Sequence, residues 1–222
     1  MNRSEITVRT LQKILFSANS EGFLTNNAAK TGIEHSKGYL FSKENSYFVE
    51  TFKRKDLAID LGTGGGIPGL VLATFTDCCW LLVDRSKRRC AFLKRAVFEL
   101  DLNQRVKVVE CSAEELSQGD YRGKAKLVTA RSFGSPAITA ECASPLLNEE
   151  GLFIVSEPPF DKSDNNQDRW PVDGLSFFGL KQKENWHTGL AGYRSFFCSF
   201  KCPETYPRRS VSYTHLTLPT KA

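Results

Sequence analysis

The sequence predicts an α/β fold: a seven-stranded, mostly parallel sheet with helices on both faces and a small N-terminal helical extension. Three observations predict it. From residue 57 onward, short apolar runs alternate with amphipathic runs of helical period, the pattern of βαβ units. The first apolar run leads straight into Asp60-Leu-Gly-Thr-Gly-Gly-Gly-Ile-Pro-Gly69. Glycines serve positive φ or the close approach of a ligand to bare peptide groups. A strand that turns tightly into a helix also aims unpaired N–H groups into the crevice, so this is a nucleotide-type pocket. Two further strand-like runs come late, near 175–180 and 195–201.

The elements follow in order. Residues 4–18 read as a helix, with Val8, Leu11, Ile14 and Leu15 on one face. Residues 19–32 are polar and turn-rich, and a second helix is expected over 33–41. His35 within it reads as a packing or capping residue, with substrate contact as the alternative. Residues 57–61 form the first strand and 70–73 open the next helix, with Pro68 near its start, where a missing N–H costs nothing. Residues 80–84 form a second strand ending in Asp84. Its carboxylate can accept two ribose hydroxyls or cap the following helix. That helix, 87–100, carries Leu93, Ala96, Val97 and Leu100 on one face and Lys87, Arg88, Lys94 and Arg95 on another. The basic side is either a solvated face or one that tracks phosphates.

A third strand spans 105–110, and Cys111-Ser-Ala-Glu-Glu-Leu116 enters a short helix. An acid here either holds an adenine amino group or simply favours the helix start. The fourth strand, 126–133, ends in Arg131, which can pair with a carboxylate or stack on a base. A helix over 136–147 and a fifth strand over 151–156 follow, then the two late strands, joined by a polar stretch containing Trp186 and His187.

Composition fits one soluble domain with an extension, divided as residues 1–50 and 51–210. Hydrophobic residues make up 41% and the net charge of +5 permits an anionic partner. No apolar stretch approaches the roughly 20 residues of a membrane span, and the N-terminus lacks a signal-peptide pattern, so a cytoplasmic protein is expected. The seven cysteines are scattered, with no C-x-x-C pair or histidine cluster to hold a metal. Residues 211–222, Val-Ser-Tyr-Thr-His-Leu-Thr-Leu-Pro-Thr-Lys-Ala, read as translated sequencing adapter and are set aside.

Two motifs overlap in the glycine loop. From Gly64 it satisfies G-x-G-x-x-G, the dinucleotide fingerprint. From Asp60 it is D-x-G-x-G-x-G. An NAD-dependent oxidoreductase would need a catalytic domain for which the chain leaves little room. The order of elements resembles a class I S-adenosylmethionine (SAM)-dependent methyltransferase, a Rossmann-like fold. The loop Asp60 to Leu70, with its Ile67-Pro-Gly69 continuation, closely resembles that of the RsmG family (glucose-inhibited division protein B), which methylates guanine N7 in 16S ribosomal RNA. Val83-Asp-Arg-Ser-Lys-Arg-Arg89, Ala113-Glu-Glu115, Thr129-Ala-Arg131 and Tyr206-Pro-Arg-Arg209 fall where that family has further motifs.

The resemblance implies SAM as cofactor, with contacts at Gly62, Ile67, Ala113, Glu114 and Arg131, Asp84 on the ribose, and Asp60, Gly64 and Gly66 completing the loop. It implies 16S ribosomal RNA or the small ribosomal subunit as partner, with Arg208 and Arg209 in the basic C-terminal signature; the basic face of Lys87, Arg88, Lys94 and Arg95 is the other candidate RNA contact, and a monomer is the default expectation. Guanine N7 is an unprotonated lone pair, so no general base is required. Arg131 is then the candidate catalytic residue, through alignment. Two alternatives remain: another class I SAM-dependent methyltransferase, or a SAM- and RNA-binding module without turnover. After the fifth strand, many family members carry Leu-Lys-Gly. This chain has Val155-Ser-Glu-Pro-Pro159, as expected of an actinobacterial-type branch. Ser156-Glu-Pro-Pro-Phe160 also echoes the N/D-P-P-Y/F motif of amino-methyltransferases, but that motif belongs after the fourth strand, which counts against such an activity.

Overall fold

The computed structural model describes residues 3–42, 52–157 and 169–208. Arg209, the 211–222 tail and the residues just after Glu157 lie outside these. Two helices, α1 (Arg3–Ser20) and α2 (Asn26–Lys37), precede the sheet. Five strands then alternate with helices: β1 (Leu57–Leu61), α3 (Gly69–Phe75), β2 (Cys79–Asp84), α4 (Lys87–Glu99), β3 (Val106–Glu110), α5 (Ala113–Gln118), β4 (Ala125–Ala130), α6 (Pro136–Ala143) and β5 (Leu147–Glu157). The short helix α7 (Val172–Ser176) leads to the closing hairpin, β6 (Leu180–His187) and β7 (Gly192–Cys198).

The seven strands lie in the order β3-β2-β1-β4-β5-β7-β6. β1 to β5 are mutually parallel, while β7 inserts antiparallel between β5 and β6. This order differs from the 3-2-1-4-5-6 of dinucleotide-binding sheets, and so removes the oxidoreductase reading of the glycine loop.

Strand alternation sends one set of side chains to each face. Ala58, Trp80, Leu82, Leu127, Leu152 and Ile154 pack with Leu11 and Leu15 of α1, Ile33 of α2, Leu70 of α3 and Leu93 of α4. Ile59, Leu61, Val83, Val128, Phe153 and Val155 pack on the opposite face with Leu116 of α5, Ala140 of α6 and Leu175 of α7. Trp80 is 1% exposed, and its indole N–H donates to the Thr76 hydroxyl at 2.8 Å. Its apolar bulk is therefore buried without an orphaned donor. Among the described residues, no helix is long and apolar enough to cross a membrane.

Several boundaries differ from the sequence reading. The second helix begins at Asn26 rather than residue 33, because the Thr25 side chain accepts from the Ala28 N–H as an N-cap. Its buried face is Ala28, Ala29, Gly32, Ile33 and Ser36, small residues that give almost no hydrophobic periodicity. The helix expected to reach 147 ends at Ala143 in a 3₁₀ turn, Ser144–Leu146, and β5 starts at Leu147 rather than 151. The strand expected over 175–180 is instead the end of α7, and the polar stretch after it is β6 itself. β6 is an edge strand with Lys181, Gln182, Lys183, Asn185 and His187 exposed, the polar composition of a guarded edge. β7 is correspondingly Gly192–Cys198 rather than 195–201.

Candidate functional site

At the carboxyl end of β1 the chain passes through Gly62, Gly64 and Gly66, with φ of 66°, 60° and 104°, values that an L side chain rarely adopts. The loop is fastened from behind by Asp60. Its Oδ2 accepts from the Gly69 N–H at 3.0 Å and its Oδ1 from the Thr129 hydroxyl at 2.7 Å. A Cβ at Gly69 would lie 2.4 Å from the Asp60 Cβ, so glycine is required for α3 to start against β1. Asp60 is fully buried. Burial raises its pKa to about 7, opposed by hydrogen bonds from Thr129, Thr63 and Gly69 and by the Arg131 charge.

Asp84, at the end of β2, is the second anchor. Its Oδ2 accepts from the Gly64 N–H at 3.0 Å and its Oδ1 from the Ser86 N–H at 2.8 Å, with Arg89 at 3.6 Å. Each oxygen keeps a further acceptor position. These groups face a cleft of about 740 Å³ lined by Gly62, Asp84, Arg85, Arg89, Ala113, Glu114 and Arg208. Beside it, Ser112 and Glu115 form a capping box that starts α5. Glu114 and Glu115 both line the cleft, but Glu115 is committed to that cap, which leaves Glu114 as the uncommitted acid of the two.

Past β4 the chain turns at Ser132, whose φ of 50° is unusual for a non-glycine residue. Ser132, Phe133 and Gly134 line both this cleft and a second cavity of about 400 Å³. The second cavity is walled by Arg131, by Asn27, Thr31 and His35 of α2, by Ser156 and Glu157 of β5, and by Trp170. Arg131 makes no hydrogen bond or ion pair with any described residue, yet its charge acts on His35, Tyr39, Asp60 and Tyr193. His35 is half-buried with its Nδ1 unpartnered among the described residues. Burial, then the Arg131 charge, lowers its pKa to about 4, so the ring is neutral at pH 7. Below it the buried Tyr39 hydroxyl donates to the Ala130 carbonyl at 2.8 Å, and burial pushes its pKa upward.

Gly62, Asp84, Ala113 and Glu114, all anticipated from the sequence, thus meet in the larger cleft. Gly64 stands one bond behind it, on Asp84. Asp60, Gly66 and Ile67 do not line the cleft, and Ile67 belongs to the core over α2, where its side chain lies against Gly32. Arg131 faces the smaller cavity instead. Of the basic residues on α4, Arg95 pairs with Glu21 at 2.8 Å, Arg88 lies over the Phe23 ring, and Lys87 and Lys94 are exposed. None of the four lines either cavity. Arg208 binds the buried carboxylate of Glu141 and lines the larger cleft.

Arg85, Arg89, Phe133, Asn27, Thr31, Glu157 and Trp170 were not singled out as site residues from the sequence. For Asn27 and Thr31 a signal existed, since with His35 they recur every fourth residue along one face of α2. Chemically, the larger cleft suits a ribose-bearing cofactor, with bare peptide at Gly62 and a carboxylate at Asp84. The smaller cavity, with Arg131, His35, Glu157 and Trp170 in its walls, adjoins the cleft along residues 132–134.

Comparison with known proteins agrees. The family model described as rRNA small subunit methyltransferase G (GidB) matches residues 8–181. A ribosomal RNA small subunit methyltransferase G from Fervidobacterium nodosum is 26% identical over 217 residues, 94% of this chain and 95% of that protein. One from Lactobacillus helveticus is 27% identical over 168 residues, 73% of this chain and 70% of that protein. In fold, the chain is similar to a geranyl diphosphate methyltransferase solved in complex with SAM. The TM-score is 0.57 at 11% identity, covering 75% of this chain and 85% of that one.

Proposed function

This chain belongs to the rRNA small subunit methyltransferase G family, and from that premise we propose that it methylates guanine N7 in 16S ribosomal RNA, with the cofactor in the larger cleft and the base in the smaller cavity. It is a SAM-dependent methyltransferase of ribosomal RNA. The observation that carries the assignment of the two sites is their junction: both cavities are lined by Ser132, Phe133 and Gly134 at the carboxyl end of β4. When bound, SAM supplies a methyl group on a sulfonium, ready for transfer without proton chemistry.

The chain's own residues bind and align. Asp84 holds the ribose hydroxyls, while Gly62 and Ala113 admit the cofactor close to the backbone, with Glu114 at the adenine end. Asp60, through Gly69 and Thr129, keeps β1, β4 and the loop in register. Arg131, half-buried and unpaired, is the positioning group between cofactor and base. Guanine N7 needs no deprotonation before it attacks, which agrees with a cavity whose histidine is neutral and whose catalysis rests on alignment. We place the protein in the cytoplasm as a monomer acting on the small ribosomal subunit, with the N-terminal helices serving as a wall of the acceptor cavity through α2.

The test is methyl transfer from labelled SAM to small ribosomal subunits that lack 7-methylguanosine, with the product mapped. Label at one guanine N7 is the expected result. SAM binding and RNA retention without transfer would instead mark a binding module without turnover.

A further inference from the structure

We infer that Glu157 is the residue that selects guanine, by accepting the N1–H and N2–H donors of its Watson–Crick edge; this rests on the acceptor-cavity reading above. Residues 132–134 are the wall shared with the cofactor cleft, so a base delivering N7 to the cofactor turns its imidazole edge toward them. Its Watson–Crick edge then points away, toward the wall the two cavities do not share. The unshared lining includes Asn27, Thr31 and His35 of α2 on one side and Ser156, Glu157, Arg169 and Trp170 on another.

Among the described residues, Glu157 is the one carboxylate lining the cavity. Its side chain is only 17% exposed. Its Oε1 accepts from the Trp170 indole N–H at 2.7 Å and its Oε2 from Arg169 Nη1 at 2.9 Å. One donor on each oxygen fixes the rotation of the carboxylate plane, and a second acceptor position on each oxygen stays available. Guanine presents two parallel N–H groups on that edge, a match for two coplanar oxygens. Adenine presents an unprotonated N1 in the same place, and its lone pair would face a buried anion. As N7 takes the methyl, positive charge spreads through the purine and its N–H groups become stronger donors. A contact with Glu157 therefore strengthens toward the transition state, which is the requirement for a catalytic rather than a merely binding contact.

The experiment uses the full chain, labelled SAM, and small ribosomal subunits reconstituted on RNA ligated to carry either guanosine or inosine at the methylated position. Inosine keeps N7 and N1–H but lacks the N2 amino group. The wild-type protein is expected to prefer guanosine by roughly tenfold or more, the scale for a polar partner lost from a buried site. Glu157→Gln should slow transfer to guanosine by roughly 10- to 100-fold and shrink the guanosine-to-inosine preference toward one. SAM affinity, read by calorimetry, should stay at its wild-type value and serves as the folding control. Should the glutamine variant fail to bind SAM, Glu157→Asp takes its place with the same expectation for the preference. Equal wild-type rates on both RNAs, or an unchanged preference in the variant, overturns the assignment of Glu157 alone. No wild-type transfer to guanosine RNA overturns the ribosomal RNA reading, and this inference with it.

Discussion

Arg208 was expected to face RNA, but the structure places it against Glu141, and the pair gives a sharp asymmetry to test. Glu141 is 0% exposed, inside the otherwise apolar helix α6. Its carboxylate accepts from the Arg208 main-chain N–H at 2.6 Å. The guanidinium adds Nε to both oxygens at 3.0 and 3.1 Å and Nη2 at 2.6 Å. Arg208→Ala would remove three of these four contacts and leave a buried ion without its charged partner. Stranding a buried charge in this way costs about 3–5 kcal/mol. Glu141→Gln, in contrast, leaves a neutral amide that still accepts the main-chain N–H. The Arg208 side chain, 34% exposed, then finds water, and that loss is about 1–2 kcal/mol. The measurement is thermal unfolding of wild type, both single variants and the double variant. Arg208→Ala should be the least stable, with Tm lower by roughly 10 °C, and adding Glu141→Gln to it should recover stability rather than lose more. A cost for Arg208→Ala no greater than for Glu141→Gln refutes the reasoning.

Four further outcomes are expected. Asp84→Asn should weaken SAM binding by roughly 10- to 100-fold, since it weakens charge-assisted acceptance of the ribose hydroxyls, and calorimetry reads this directly. Arg131→Ala should abolish methyl transfer to small subunits in a single-turnover assay, and full retained activity would sink its role as the aligning group. For His35, the folded pKa of about 4 lies below the ordinary 6.5. Between these values the unfolded chain takes up a proton that the folded chain refuses. Stability therefore falls as pH drops from about 6.5 to about 4; an NMR titration should place the His35 midpoint near 4, and His35→Gln should flatten that part of the stability profile. Lys87→Ala with Lys94→Ala should lower the salt slope of RNA binding by about one to two. Arg95→Ala should lower it less, because Glu21 already neutralises Arg95.

What the sequence revealed depends on how local each feature is. The larger cleft was readable because Gly62, Asp84, Ala113 and Glu114 each sit at or just past the end of a strand, and parallel strands bring such ends together. The acceptor cavity was not. It is built from α2, the end of β5, Trp170 and the turn between β6 and β7, segments far apart in the chain. Two of these were misread for physical reasons. α2 buries alanine, glycine and serine, which carry little periodicity, and β6 is polar on both sides because it is an edge. Glu141 left one signal, a lone acid among the apolar residues of Pro136–Ala143, but its partner lies 67 residues away. Asp60 was legible as important yet not in its role. An acid at the end of β1 reads as a ligand, whereas both its oxygens are taken up in fastening Gly69 and Thr129.

The charges around the acceptor cavity also bear on why the site needs no acid–base pair. Methyl transfer carries positive charge from the cofactor to the base, so a protonated histidine beside the base would oppose the reaction. His35 stays neutral at pH 7 because its ring is buried and because Arg131 stands next to it. The same guanidinium acts on Asp60 behind the loop. Arg131 thus does two things at a distance before it touches any ligand: it keeps the neighbouring imidazole uncharged and it favours the anionic form of the carboxylate that fastens β1 to β4. Among the described residues the carboxylate of this cavity is Glu157, already oriented by Arg169 and Trp170, and it is the counterweight for a base that gains positive charge. A carboxylate held by two donors costs little to reorganise during the reaction, because it is oriented beforehand.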